Sequence, residues 1–152
     1  MQQPVAQPVH CSRDGASRAE VKMEPERVER IVLALRRAAE HERLLSYQRF
    51  HAMFGAGDPL TARYDALERA IASLGEVSAI DYGVLLSLSN GLPGPDFFRR
   101  YQKHRYADYV AVMGPPIHRQ SVKRKRLLVE AERRRVYEDA RRKAASHVAE
   151  PA

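Results

Sequence analysis

The stretch from Ser46 to Leu67, SYQRFHAMFGAGDPLTARYDAL, constrains the fold more than any other. Ser46 is a good helix N-cap, because its hydroxyl can accept a backbone N–H of the first turn. It opens a short helix over about 47–54, with Phe50, Met53 and Phe54 facing inward. Gly55 and Gly57 end that helix. Asp58-Pro59 starts another, with the acid as N-cap and proline at the first helical position, where its missing N–H is no loss. Leu60, Tyr64, Leu67, Ile71 and Leu74 then recur at helical spacing, and Gly75 stands just past the end. A short helix, a glycine turn and a second helix make a helix-turn-helix, whose second helix offers the side chains of its first turn to a partner.

The flanking segments add helices. Residues 1–23 are polar, contain two prolines and have no periodicity, so they read as a disordered tail. A first helix is expected from Pro25 to about Arg43, with acids in its first turn and an apolar stripe of Val28, Ile31, Val32, Leu35 and Ala38 or Ala39. After Gly75 the period changes. The run from Val77 to Ser89 is apolar and β-branched and predicts a strand over 84–88, with a shorter partner near 77–80. Asn90-Gly-Leu-Pro-Gly94 is turn chemistry. From Pro95 the chain is helical again, anchored by Phe97, Phe98, Tyr101, Tyr109 and Met113, until Gly114-Pro115-Pro116 breaks it. A last helix is expected over about 121–145, with Val122, Val129 and Val136 spaced by sevens along an apolar seam.

Charge is unevenly placed. Residues 1–96 hold 11 Lys and Arg against 13 Asp and Glu, and residues 97–152 hold 15 against 6, so the net of +7 arises in the back half. Such a balance points to a polyanionic partner. A lone cysteine, Cys11, permits no intramolecular disulfide, and with its neighbour His10 it falls short of the ligand set of a zinc site. No segment has the length and apolarity of a membrane span or the apolar core of a signal peptide. The expectation is a cytoplasmic, bacterial-type soluble protein. The six histidines are scattered, and no phosphate loop or nucleophile elbow appears. No cofactor, metal or catalytic residue is expected, and Asp81 reads as a structural acid.

Ser46-Tyr47-Gln48-Arg49-Phe50-His51-Ala52-Met53-Phe54-Gly55, followed by Pro59-Leu60-Thr61-Ala62-Arg63, resembles the DNA-binding domain of alkylguanine-DNA alkyltransferases and alkyltransferase-like proteins. The resemblance covers about residues 28–88. It implies a winged-helix fold, a role at the DNA backbone for Tyr47, and a role for Arg63 in the gap left by a displaced nucleotide. The family's Pro-Cys-His-Arg motif is missing. The corresponding region, Ile80-Asp81-Tyr82-Gly83-Val84, has no cysteine, and without the thiolate nucleophile alkyl transfer is excluded.

These readings combine into a mainly α (α+β) protein. A disordered tail (1–23) precedes a winged-helix-like domain (24–113) with a small β element, and a basic helical extension (114–152) follows. The expected function is non-catalytic DNA binding, regulatory or accessory, with double-stranded DNA as partner. The candidate contacts are Tyr47, Thr61 and Arg63 on the helix-turn-helix, Arg99, Arg100, Lys103 and Arg105 after the turn at 90–94 that would be the wing or its exit, and Lys123, Arg124, Lys125 and Arg126 on the last helix. Arg133 to Arg135 and Arg141 to Lys143 continue the basic pattern. Tyr47 could equally be a core aromatic and Arg63 a local ion-pairing group. Asp65 and Glu68, on the outer face of the second helix, would repel phosphates. Two other partners fit the same residues: a protein docked on the valine seam, which would make the chain an adaptor or self-associating, and structured RNA.

Overall fold

The structure, a computed structural model, describes residues 14–115 and 120–149, with side chains over 25–115 and 120–147. His10, Cys11 and His118 lie outside the described residues. The protein is mainly helical: six α-helices, one 3-10 turn and a single pair of two-residue strands are present among the described residues.

Helix α1 (Asp14–Glu40) begins eleven residues before the expected start at Pro25. Ala16, Ala19, Glu20, Lys22 and Met23 favour helix, and the helix accommodates Pro25 by giving up one backbone hydrogen bond. The expected tail is therefore helical from Asp14. Ile31, Val32, Leu35, Ala38 and Ala39 form the buried stripe that their spacing predicts. Glu42, at φ +52°, ends the helical path, and the Arg43 N–H returns to the Ala38 carbonyl at 2.7 Å.

Strand β1 (Leu45–Ser46) leads into α2 (Tyr47–Ala52), where the Ser46 hydroxyl accepts the Arg49 N–H at 3.1 Å, the cap its position predicts. Helix α3 (Leu60–Leu74) starts one residue later than expected, with Pro59 in extended conformation as its cap residue. Asp58 instead accepts the Gly55 N–H at 2.9 Å and pairs with Arg27 at 3.0 Å, tying the turn to α1. Leu67, Ile71 and Leu74 pack inward against α1, whereas Leu60, at the overhanging end of the stripe, is 61% exposed.

The β element differs from expectation. Tyr82–Leu85 is a 3-10 turn, and only β2 (Leu86–Ser87) is extended. Its partner is β1, in parallel register, with Leu45 opposite Leu86 and Ser46 opposite Ser87. Residues 77–80, expected as the partner strand, form a turn in which the Ala79 and Ile80 N–H groups both reach the Glu76 carbonyl at 2.8 Å. The physical reason is burial on all sides. Every residue from Asp81 to Leu86 is buried, and a continuous apolar run does not distinguish a strand from any other buried segment. No antiparallel hairpin occurs among the described residues.

Helices α4 (Pro95–His104) and α5 (Tyr106–Met113) divide one expected helix at Arg105, whose φ of −138° and ψ of 53° leave the helical region. Helix α6 (Val122–Ala149) is about 42 Å long at 1.5 Å per residue. It lies against α1, α5 and the 3-10 turn. Leu128, Val129, Val136 and Ala140 are buried there, while Val122 is 57% exposed. The seam that resembled a docking strip is thus occupied within the chain, and the basic segment supplies part of the core. Burying a valine or leucine stabilises by about 1.5–3 kcal/mol, so Leu128, Val129 and Val136 together hold α6 firmly.

Candidate nucleic-acid interface

The turn before α4 is built around Tyr47. Its ring is buried, and its hydroxyl donates to Asp96 Oδ1 at 2.8 Å while accepting the Gly94 N–H at 2.7 Å. A Cβ on Gly94 would come within 2.9 Å of that hydroxyl, so only glycine lets the backbone approach. Gly91, at φ +83°, and Asn90, whose Oδ1 accepts the Leu92 N–H at 3.0 Å, shape the preceding turn. Burial and the adjacent Asp96 carboxylate push the Tyr47 hydroxyl well above the ordinary phenol range. Tyr47 therefore ties α2 to the start of α4, and its hydroxyl is not offered to a phosphate.

Arg63 is also turned inward. Its Nε donates to the Asp58 carbonyl at 3.0 Å and its Nη2 to the Gly55 carbonyl at 2.9 Å. Nη1 reaches His51 Nδ1 at 3.4 Å, and the guanidinium lies 5.6 Å from the Phe54 ring. Burial and the Arg63 charge lower the pKa of His51. The arginine closes the turn between α2 and α3, with one bond each from Nε, Nη1 and Nη2.

Two further candidates are buried ion pairs. The Arg100 side chain is 4% exposed and holds Asp81 through two bonds, Nε to Oδ2 at 2.7 Å and Nη2 to Oδ1 at 3.0 Å. Its Nη1 donates to Glu68 Oε1 at 2.8 Å and lies 3.8 Å from Asp96 Oδ2. Arg105, 3% exposed, pairs with the buried Glu132 of α6, whose Oε2 also accepts the Asp81 N–H at 3.0 Å. Burial works against the charge of Arg100, but Asp81 beside it keeps the guanidinium protonated. Neither arginine can reach a phosphate. The network connects α3, the 3-10 turn, α4 and α6.

The remaining candidates stay at the surface, and the fold brings most of them together. A groove of about 530 Å³ runs between the first turn of α3 and the outer face of α4. Leu60, Thr61, Tyr64 and Glu68 form one side, and Pro95, Asp96, Arg99, Arg100, Lys103 and His104 the other. The first turns of α3 and α4 both open here, and neither has a side-chain cap. Arg99 also lines a second groove, of about 340 Å³, with Asn90, Gln102, Gln120 and Lys125. Lys125 lies 5.1 Å from the Phe98 ring, Arg126 Nη2 donates to the Asn90 carbonyl at 3.3 Å, and Arg124 Nη1 to the Met113 carbonyl at 3.3 Å. Lys123 is exposed. Arg99 thus joins the α3 end, the α4 face and the start of α6 into one basic strip.

The carboxylates that line this groove are only partly offset, because Arg100 carries one charge and also holds Asp81. Glu68 and Asp96 both face Arg100, and Asp65 pairs with Arg69 at 3.4 Å. Other basic residues of α6 are committed elsewhere: Arg133 Nε donates to the Val84 carbonyl at 3.0 Å, Lys143 to the Leu74 carbonyl at 2.7 Å, and Arg141 pairs with Glu42 at 2.6 Å. Asn90, Gln102 and Gln120 are surface participants that no charge pattern singles out. Gln102 and Lys103 follow Arg99 by three and four residues, the spacing that places side chains on one helical face.

No protein-family model, curated protein or solved structure matches the chain. No helix among the described residues is long and apolar enough to cross a membrane.

Proposed function

We propose that the protein binds nucleic acid, with DNA as the expected form, and performs no chemistry on it. The contact surface is the strip formed by Thr61, Arg99, Lys103, Lys123, Lys125 and Arg126. The observation that carries this reading is the place of Arg99 in both grooves, which makes separate basic segments one surface. Cationic side chains beside open helix N-termini are suited to phosphate oxygens. We read α2, α3 and the β1–β2 pair as a winged-helix-like core. The resemblance to alkyltransferase-like domains favours the same reading, with Tyr47 and Arg63 reassigned to holding the domain in shape. The adaptor reading is weakened, because Val129 and Val136 of the valine seam are covered within the chain, although Val122 is exposed.

The test is a salt titration of binding to duplex DNA, duplex RNA and single strands, read by fluorescence anisotropy. Binding at about 50 mM salt should weaken linearly in log–log form as salt rises. The double variant Arg99→Gln/Lys103→Gln should flatten that slope by about 2, one phosphate contact for each charge removed. Absence of binding to every probe at about 50 mM salt, or an unchanged slope in the variant, overturns the proposal.

A further inference from the structure

We propose that the groove between α3 and α4 receives an unpaired base, so that the favoured ligand is a single-stranded segment rather than an intact duplex. This rests on the nucleic-acid reading above and sharpens it. Phosphate contact alone needs only cations on a convex surface. Here the cations stand at the rim of a groove whose volume, about 530 Å³, is that of a small-molecule pocket. Its walls are apolar where a phosphate would gain nothing: Leu60 is 61% exposed, and the Tyr64 ring and Pro95 flank it. A solvent-facing leucine inside a basic strip gains by being covered, and the face of a base is the apolar surface that a polynucleotide can bring. In an intact duplex those faces are stacked on one another and cannot reach Leu60.

The charges complement this occupant. Arg99 and Lys103 lie one helical turn apart on α4, so they can take the phosphates on either side of a base lodged against Leu60 and Tyr64. The Thr61 and Tyr64 hydroxyls line the same groove and have no hydrogen-bond partner among the described residues, which leaves them for the polar edge of the base. Both are tolerant contacts, so little sequence preference is expected.

Three fluorescent probes of equal length test the idea by anisotropy at about 100 mM salt: oligo-dT, an abasic phosphodiester strand, and a duplex. The expected result is oligo-dT bound about tenfold more tightly than the abasic strand, the size of one base-stacking contact, and more tightly than the duplex. Leu60→Asn, at an exposed position, should bring oligo-dT down to the level of the abasic strand and move the abasic and duplex affinities less than twofold. Leu60→Phe should preserve the preference. An oligo-rU arm assigns the sugar: tighter binding than oligo-dT points to RNA, weaker binding to DNA, and either agrees with an unpaired base. Equal binding of oligo-dT and the abasic strand, a duplex preference, or an equal loss for all probes in Leu60→Asn overturns the inference and leaves phosphate binding standing. Failure of all probes to bind overturns both.

Discussion

Removal of Arg100 should cost the fold heavily. Arg100→Met keeps the length and apolar stem of the side chain and removes its charge. Asp81, at 0% exposure, then loses both guanidinium bonds and keeps on its carboxylate only the Gly83 N–H, at 2.8 Å. Glu68 and Asp96 lose the same partner, though Glu68 is half exposed and recovers water. Breaking a buried pair by removing one member costs about 3–5 kcal/mol, a large part of the roughly 5–15 kcal/mol that holds a typical domain. For a chain of this size the melting temperature should fall by about 10–20 °C in thermal denaturation followed by circular dichroism. Arg99→Met, one residue away and exposed, should cost less than about 0.5 kcal/mol. The cause is separable by a double-mutant cycle. Asp81→Asn in the Arg100→Met background removes the stranded charge and should recover part of the loss. A loss below about 1 kcal/mol in Arg100→Met, or no recovery in the double variant, would refute the view that the pair is a buried charge network.

Four other outcomes follow from the same contacts. Tyr47→Phe should destabilise by about 1–3 kcal/mol in urea titration, because the buried Gly94 N–H loses its acceptor, while nucleic-acid affinity of the folded protein stays unchanged. Gly83→Ala should destabilise strongly in thermal melts, since its Cβ would stand 2.2 Å from Arg100 Nη2 and 2.7 Å from Ile71 Cδ1. Val136→Ala should lower stability by about 2 kcal/mol without changing the sedimentation behaviour, because Val136 packs inside the chain and not against a partner. Asp139 supplies a pH signature: burial works against its charge, but the Tyr82 hydroxyl at 2.6 Å and Lys143 at 2.9 Å hold its carboxyl below the ordinary 3.8. A depressed folded-state pKa stabilises above the unfolded value and is lost as pH falls through the folded one. The stability gap between wild type and Asp139→Asn should therefore be constant near neutrality and close below about pH 4 in urea titrations.

Much of the helical framework was legible in the chain because its signals are local. The Ser46 cap acts over three residues, Gly75 stops α3 at its own position, and the stripe of Ile31, Val32 and Leu35 repeats within one turn. Such rules need no knowledge of distant segments. They failed where burial was complete on all sides, as from Asp81 to Leu86, and where a stripe ran past its neighbour, as at Leu60.

The sequence by itself determined the central part of each helix, the glycine turns between α2 and α3 and after α3, and where the excess positive charge lies. It could not sort one arginine from another. Arg99 and Arg100 are adjacent and chemically identical, yet one faces a groove and the other holds Asp81, nineteen residues away. Arg105 finds Glu132 across twenty-seven residues, and Tyr47 finds Asp96 across forty-nine. Only the tertiary structure decided those pairings, because a buried charge requires a partner and the partner is chosen by which helices meet, not by what stands next to it in the chain.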